Sequence, residues 1–180
     1  MTLKTSALYR FFKRCSVGGI ITNHYNTFYD DTTKDKQRSN SEIFWQIIFF
    51  LGISLLATYF GLFFTKTALN STLTVQSILA PFLFSTLFIV ADKRVGIEAG
   101  TKRYRLINDT VKNIAFNILL SIILIVVTVI YLVYLPEAPG QTTIISSSFC
   151  NALNILMYFF ILNQMYVFIM IMKRVNKMFS

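Results

Sequence analysis

Four long runs of predominantly apolar residues, about 43–65, 73–91, 114–135 and 144–172, constrain this 180-residue chain more than any motif does. Runs of about 18 or more mainly apolar residues read as membrane-spanning helices, because such a helix satisfies every backbone hydrogen bond within itself. The expected fold is all-α: a polytopic membrane protein with four transmembrane helices. The composition agrees, with 54% hydrophobic, 16% aromatic and only 14% charged residues. The last run exceeds the roughly 20 residues that a bilayer needs, so it is expected to tilt or protrude.

The basic residues set the expected orientation. Sixteen of the seventeen Lys and Arg fall in three places: Lys4 to Arg38, the loop from Lys93 to Lys112, and Lys173, Arg174 and Lys177. The connections KTALNST and PEAPGQTT hold only Lys66. By the positive-inside rule, both termini and the central loop are cytoplasmic. Three parts follow: a basic N-terminal region 1–42, a transmembrane domain 43–172 that includes the loop 92–113, and a tail 173–180. The start, MTLKTSALYRFFKRCS, lacks an apolar core of signal-peptide length, so the first span is expected to be an uncleaved signal anchor. The expected location is a bacterial inner membrane, crossed several times.

Residues 1–15 suit a short amphipathic interfacial helix. The stretch after them, with Gly18-Gly19 and many Thr, Asn and Asp residues, reads as loop or turn. Ser41 and Glu42 suit the start of the first helix. The short segment TALNST, with its sequon Asn70-Ser71-Thr72, reads as an outer loop, which makes spans one and two a tight hairpin. Pro81 removes one backbone hydrogen bond from span two and predicts a kink. KRYRLINDTVKN is compatible with a helical extension of span three.

Intramembrane catalysis needs acids, bases or metal ligands inside the bilayer. All eight Asp and Glu lie in loops or at helix ends, and His24, the single histidine, falls in the N-terminal stretch, where a solvated loop is expected. The expectation is therefore a non-enzyme with no cofactor. Proton coupling would require a buried carboxylate, which is missing. Cys15 and Cys150 are expected on opposite sides of the membrane, which removes a disulfide and paired-thiol oxidase chemistry.

Four amides in the last run remain. At 100° per residue, Ser147, Asn151, Asn154 and Tyr158 fall within about 60° of each other, and Ile161 and Met165 extend the stripe. This seam fits interhelical hydrogen bonding within one bundle, self-association in an oligomer, or the lining of a narrow pore. Asn163 and Gln164 point elsewhere and are expected nearer an interface, solvated by water or headgroups. The basic residues Arg10, Lys13, Arg14, Lys93, Arg94, Lys102, Arg103, Arg105 and Lys112 suit anionic headgroups or an acidic cytoplasmic protein. No helix, finger or stacking platform for sequence-specific nucleic-acid binding is visible.

Size, four spans, cytoplasmic termini, the lack of a catalytic group and the basic stretches 1–38 and 92–112 together resemble the KwaA membrane subunits of the prokaryotic Kiwa anti-phage defence system. The resemblance is architectural and rests on no short motif. It implies an oligomeric membrane sensor or scaffold that recruits a soluble effector. A small channel or holin-like pore lined by the fourth helix is the alternative.

Overall fold

The computed structural model describes residues 17–25, 27, 36–98, 101–134 and 147–179. Five helices follow in order: α1 Val17–Tyr25, α2 Lys36–Tyr59, α3 Lys66–Asp92, α4 Lys102–Tyr134 and α5 Ser147–Phe179. The described residues contain no strand. α3, α4 and α5 are long and apolar enough to cross a membrane, and Ile43–Tyr59 of α2 forms a shorter apolar helix. Their outer faces expose large apolar side chains such as Trp45, Phe49, Phe82, Phe88 and Ile169. A helical membrane protein places such faces against lipid.

Several boundaries differ from the sequence reading. α1 is a helix where a loop was expected. α2 starts at Lys36, so Ser41 and Glu42 lie within it rather than capping it. It stops at Tyr59 although apolar residues continue to Phe64, because Gly61 takes φ +73. Leu62 N–H donates to Ala57 C=O and Gly61 N–H to Thr58 C=O, both at 3.0 Å. This is a Schellman closure with glycine at the left-handed position. Thr65 then caps α3, its hydroxyl accepting from Ala68 N–H at 3.2 Å. Residues 66–72, with the sequon, are thus the opening turns of α3 and not a loop. The connection lies at 60–65.

α3 continues through Pro81, whose side chain is exposed. The buried residues of α3, Leu69, Gln76, Leu83 and Val90, recur every seven positions and form one narrow stripe. A turn with Gly96 at φ +83 leads to Thr101, whose hydroxyl accepts from Tyr104 N–H at 3.2 Å and starts α4. α4 has 33 residues, about 50 Å at 1.5 Å per residue, against a hydrocarbon core of about 30 Å. Its first turns therefore extend beyond a bilayer, as KRYRLINDTVKN implied.

α4 is the central helix, with α3 and α5 packed against it and α1 along its first half. α2 packs on α5 and has little contact with α3, so the expected hairpin of spans one and two does not form a packed pair. Two apolar clusters result. One joins Leu83, Val90, Ile107, Ile114, Val167 and Ile171; the other joins Leu69, Leu124, Tyr131, Leu153 and Met157.

Candidate functional site

Buried polar side chains run the length of the helix assembly. On α4, Asn113, Asn117, Ser121 and Thr128 are all fully buried, spaced by four, four and seven residues. That spacing holds them on one face of a helix. They meet Gln76 of α3, Asn154 and Gln164 of α5, and His24 and Thr27 from the N-terminal region. Burying such groups costs free energy unless each finds a partner. Their partners divide them into three levels.

The first level lies at the Gly61 turn. Asn154 Nδ2 donates to Thr58 Oγ1 at 2.9 Å and to Leu62 C=O at 3.0 Å. Its Oδ1 accepts from Phe64 N–H at 3.3 Å and from the Tyr131 hydroxyl at 3.5 Å. One carboxamide thus satisfies backbone groups that the end of α2 leaves open, and ties α2, α4 and α5 together.

The second level lies mid-helix. Gln76 Nε2 donates to Gln164 Oε1 at 2.8 Å, and Gln164 Nε2 returns a bond to Gln76 Oε1 at 2.9 Å. Gln164 Nε2 also donates to Ser121 Oγ at 2.7 Å. The reciprocal amide pair bridges α3 and α5 across α4. Beside it an apolar groove of about 400 Å³ runs between α3 and α5, walled by Val75, Leu79, Ile161, Met165 and Phe168.

The third level lies where α1 covers α4. His24 is 1% exposed, stacked on Phe116 with ring centroids 3.9 Å apart and planes 10° from parallel. Its Nδ1 donates to Asn113 Oδ1 at 2.9 Å, and Thr27 Oγ1 donates to the same oxygen at 2.9 Å. Arg174 Nη2 reaches Thr27 C=O at 2.9 Å. Burial lowers the His24 pKa to about 4; the Asn113 hydrogen bond opposes this and the Arg174 charge adds to it. His24 is therefore neutral at pH 7. Unlike the other levels, this one is incomplete. Asn113 Nδ2, both amide atoms of Asn117, and Arg174 Nη1 are buried without partners.

The expected seam on α5 is only partly what the structure buries. Ser147 is the first residue of α5, Asn151 is half-buried, and Tyr158 is half-buried with its ring 4.7 Å from Phe64. The buried stripe instead runs through Asn154, Met157, Gln164, Val167 and Ile171, while Met165 is exposed. Asn163 and Gln164 were expected at an interface and are buried instead; Asn163 Nδ2 donates to Phe159 C=O at 3.1 Å. The physical reason is that Gln76 and Ser121 supply Gln164 with partners that a lipid-facing amide would lack. His24, expected in a solvated loop, is similarly drawn in by Phe116 and Asn113.

The basic residues gather at the opposite end from Gly61. Lys93, Arg94, Arg103 and Arg105 are exposed around the α3–α4 turn, and Lys102 opens α4. The Arg94 guanidinium bonds the Tyr104 hydroxyl through Nε at 2.9 Å and also through Nη2, and lies 4.8 Å from that ring's centroid. Lys112 pairs with Asp109 at 3.3 Å. Arg10, Lys13 and Arg14 lie outside the described residues.

Sequence reasoning passed over His24, Asn113, Asn117, Gln76 and Ser121 as site residues. The four-residue spacing of Asn113, Asn117 and Ser121 was the available signal. Chemically, the spine offers hydrogen-bond donors and acceptors, and among the described residues no group of three His, Cys, Asp or Glu comes together. No protein-family model matches the chain, and neither a curated protein nor a solved structure matches it.

Proposed function

We propose that the protein is a non-enzymatic, multi-pass inner-membrane subunit that anchors or signals to a cytoplasmic protein. In this reading α2 is a fourth span, and the chain works as an oligomer. Both termini and the loop 92–113 face the cytoplasm. The observation that carries the reading is the division of chemistry along the helices. Apart from the part-buried Arg174, the interior holds neutral hydrogen-bonding groups, while the exposed cations Lys93, Arg94, Arg103, Arg105 and Lys173 collect at one end. Such an end attracts anionic headgroups at roughly 1 kcal/mol per cation, and acidic protein surfaces by the same physics. The resemblance to KwaA subunits supports the finer form of the proposal, a sensor or scaffold in an anti-phage defence complex.

The test is solubilisation from the native host and co-purification. A stable complex of several copies with one cytoplasmic protein is expected, released by charge reversal at Arg103 and Arg105. Recovery of a lone monomer in native lipid would defeat the proposal. The pore alternative has less support, since Asn154 commits its carboxamide to Thr58, Leu62, Phe64 and Tyr131 within the chain. It requires dye leakage from proteoliposomes that changes with Asn151→Leu.

A further inference from the structure

We propose that Arg174, Asn113 and Asn117 form a binding site for a phosphoryl anion. α1 and Thr27, which follows it, close the site, with the Thr27 carbonyl oxygen on one arm of the Arg174 guanidinium. The proposal does not depend on the scaffold reading.

A guanidinium recognises an oxyanion best with two parallel N–H···O bonds. In Arg174 one nitrogen, Nη2, is taken by the Thr27 carbonyl at 2.9 Å, and the other, Nη1, is buried and unpartnered. The Asp109 carboxylate acts on Arg174 through its charge, but its ion pair is with Lys112 at 3.3 Å, which leaves the Arg174 Nη1 without a bonded carboxylate. A half-used, part-buried cation is costly to hold. Asn113 spends its Oδ1 on His24 and Thr27, and its Nδ2 is left over. Asn117, one turn deeper on the same face and fully buried, keeps both Nδ2 and Oδ1 unused. The unsatisfied set is therefore three nitrogen donors and one acceptor. A phosphoryl group offers several acceptor oxygens to the donors, and its hydroxyl, or a water it carries, suits the Asn117 oxygen. A single carboxylate would leave donors unmatched.

The cover is suited to leaving. α1 has nine residues, and Ile21, Thr22 and Asn23 on its far side are exposed. It meets α4 through the His24 stack on Phe116, the Tyr25 ring against Phe116, Ile20 on the apolar cluster, and the His24 hydrogen bond to Asn113 Oδ1, an oxygen that Thr27 also bonds. When α1 lifts, both arms of Arg174 and all of Asn113 become available together. Anion and α1 thus compete for one guanidinium, and binding of one releases the other. Arg174 stands near the end of the apolar stretch of α5, where both a lipid phosphate and free phosphate can reach it.

The experiment measures hydrogen exchange of the amides of residues 18–25 in the full chain, held in phosphatidylcholine nanodiscs. One arm adds inorganic phosphate. A second replaces part of the lipid with phosphatidylglycerol in phosphate-free buffer. A third adds chloride at matched ionic strength. About tenfold faster exchange is expected in the first or second arm, and the responding arm identifies the source. Arg174→Gln abolishes the response and Arg174→Lys keeps part of it. Thr27→Val, which loosens α1, lowers the anion concentration needed. Should Arg174→Gln fail to fold, Asn117→Leu serves instead: it leaves α1 docked and weakens the response. Exchange unmoved by phosphate and phosphatidylglycerol overturns the proposal. An equal response to chloride, or an unchanged one in Arg174→Gln or Asn117→Leu, does so as well.

Discussion

The two ends of the polar spine are built from the same residue types and behave differently. At the Gly61 end, Asn154 uses both amide hydrogens and its oxygen on four partners. At the α1 end, Asn117 sits equally deep and uses neither amide atom. The same side chain is a tie at one end and an unmet demand at the other. Burial alone therefore does not say whether a polar residue stabilises a membrane protein; its partners do.

The sharpest break of this comparison is a pair of matched substitutions. Asn154→Leu strands the Leu62 carbonyl and the Phe64 N–H and is expected to cost about 3–4 kcal/mol. Asn117→Leu removes only unpaired groups and is expected to be neutral or mildly stabilising. Thermal unfolding in one detergent reads both, and equal losses would erase the distinction between the ends.

Acid probes the α1 end alone. The His24 pKa is about 4 in the folded chain against 6.5 when free, so the undocked form binds the extra proton between those values. Docking of α1 is at full strength above pH 6.5 and weakens as pH falls toward 4. The loss is at most about 3 kcal/mol, capped by the docking free energy itself. The groups facing His24 are Arg174, Asn113, Phe116 and Tyr25, and among them Arg174 opposes its protonation. Proteolysis within residues 17–25, followed against pH, should accelerate over this window and lose that dependence in His24→Phe.

Between the ends, a double-mutant cycle on Gln76→Leu and Gln164→Leu should return a coupling of about 1–2 kcal/mol, in the range of interhelical hydrogen bonds in membranes. Additive losses would mean that Ser121 alone accounts for the burial of Gln164. A loss of similar size is expected at Gly61. Open space surrounds a Cβ placed there, so Gly61→Ala costs only the left-handed backbone, about 1–2 kcal/mol.

Much of this architecture was legible from composition and spacing. Long apolar runs gave helices, and KRYRLINDTVKN continued one of them beyond the bilayer. The apolar run to Phe64 concealed the end of α2, because Gly61 reverses the chain without any polar residue to mark it. Helical angles placed Asn154 on a buried face. The same angles assigned Gln164 to an interface, since its partners Gln76 and Ser121 lie 88 and 43 residues away.

By itself the sequence determined an all-helical membrane chain with its cations at helix ends and no ionisable group at mid-span. Hydrophobic length and backbone hydrogen bonding dictate that much locally. Only the tertiary structure decided that α4 is central, that α2 sits on α5, and that His24 is buried. Those depend on which distant donor meets which acceptor, and a buried polar group gains its value from a partner that local sequence does not reveal.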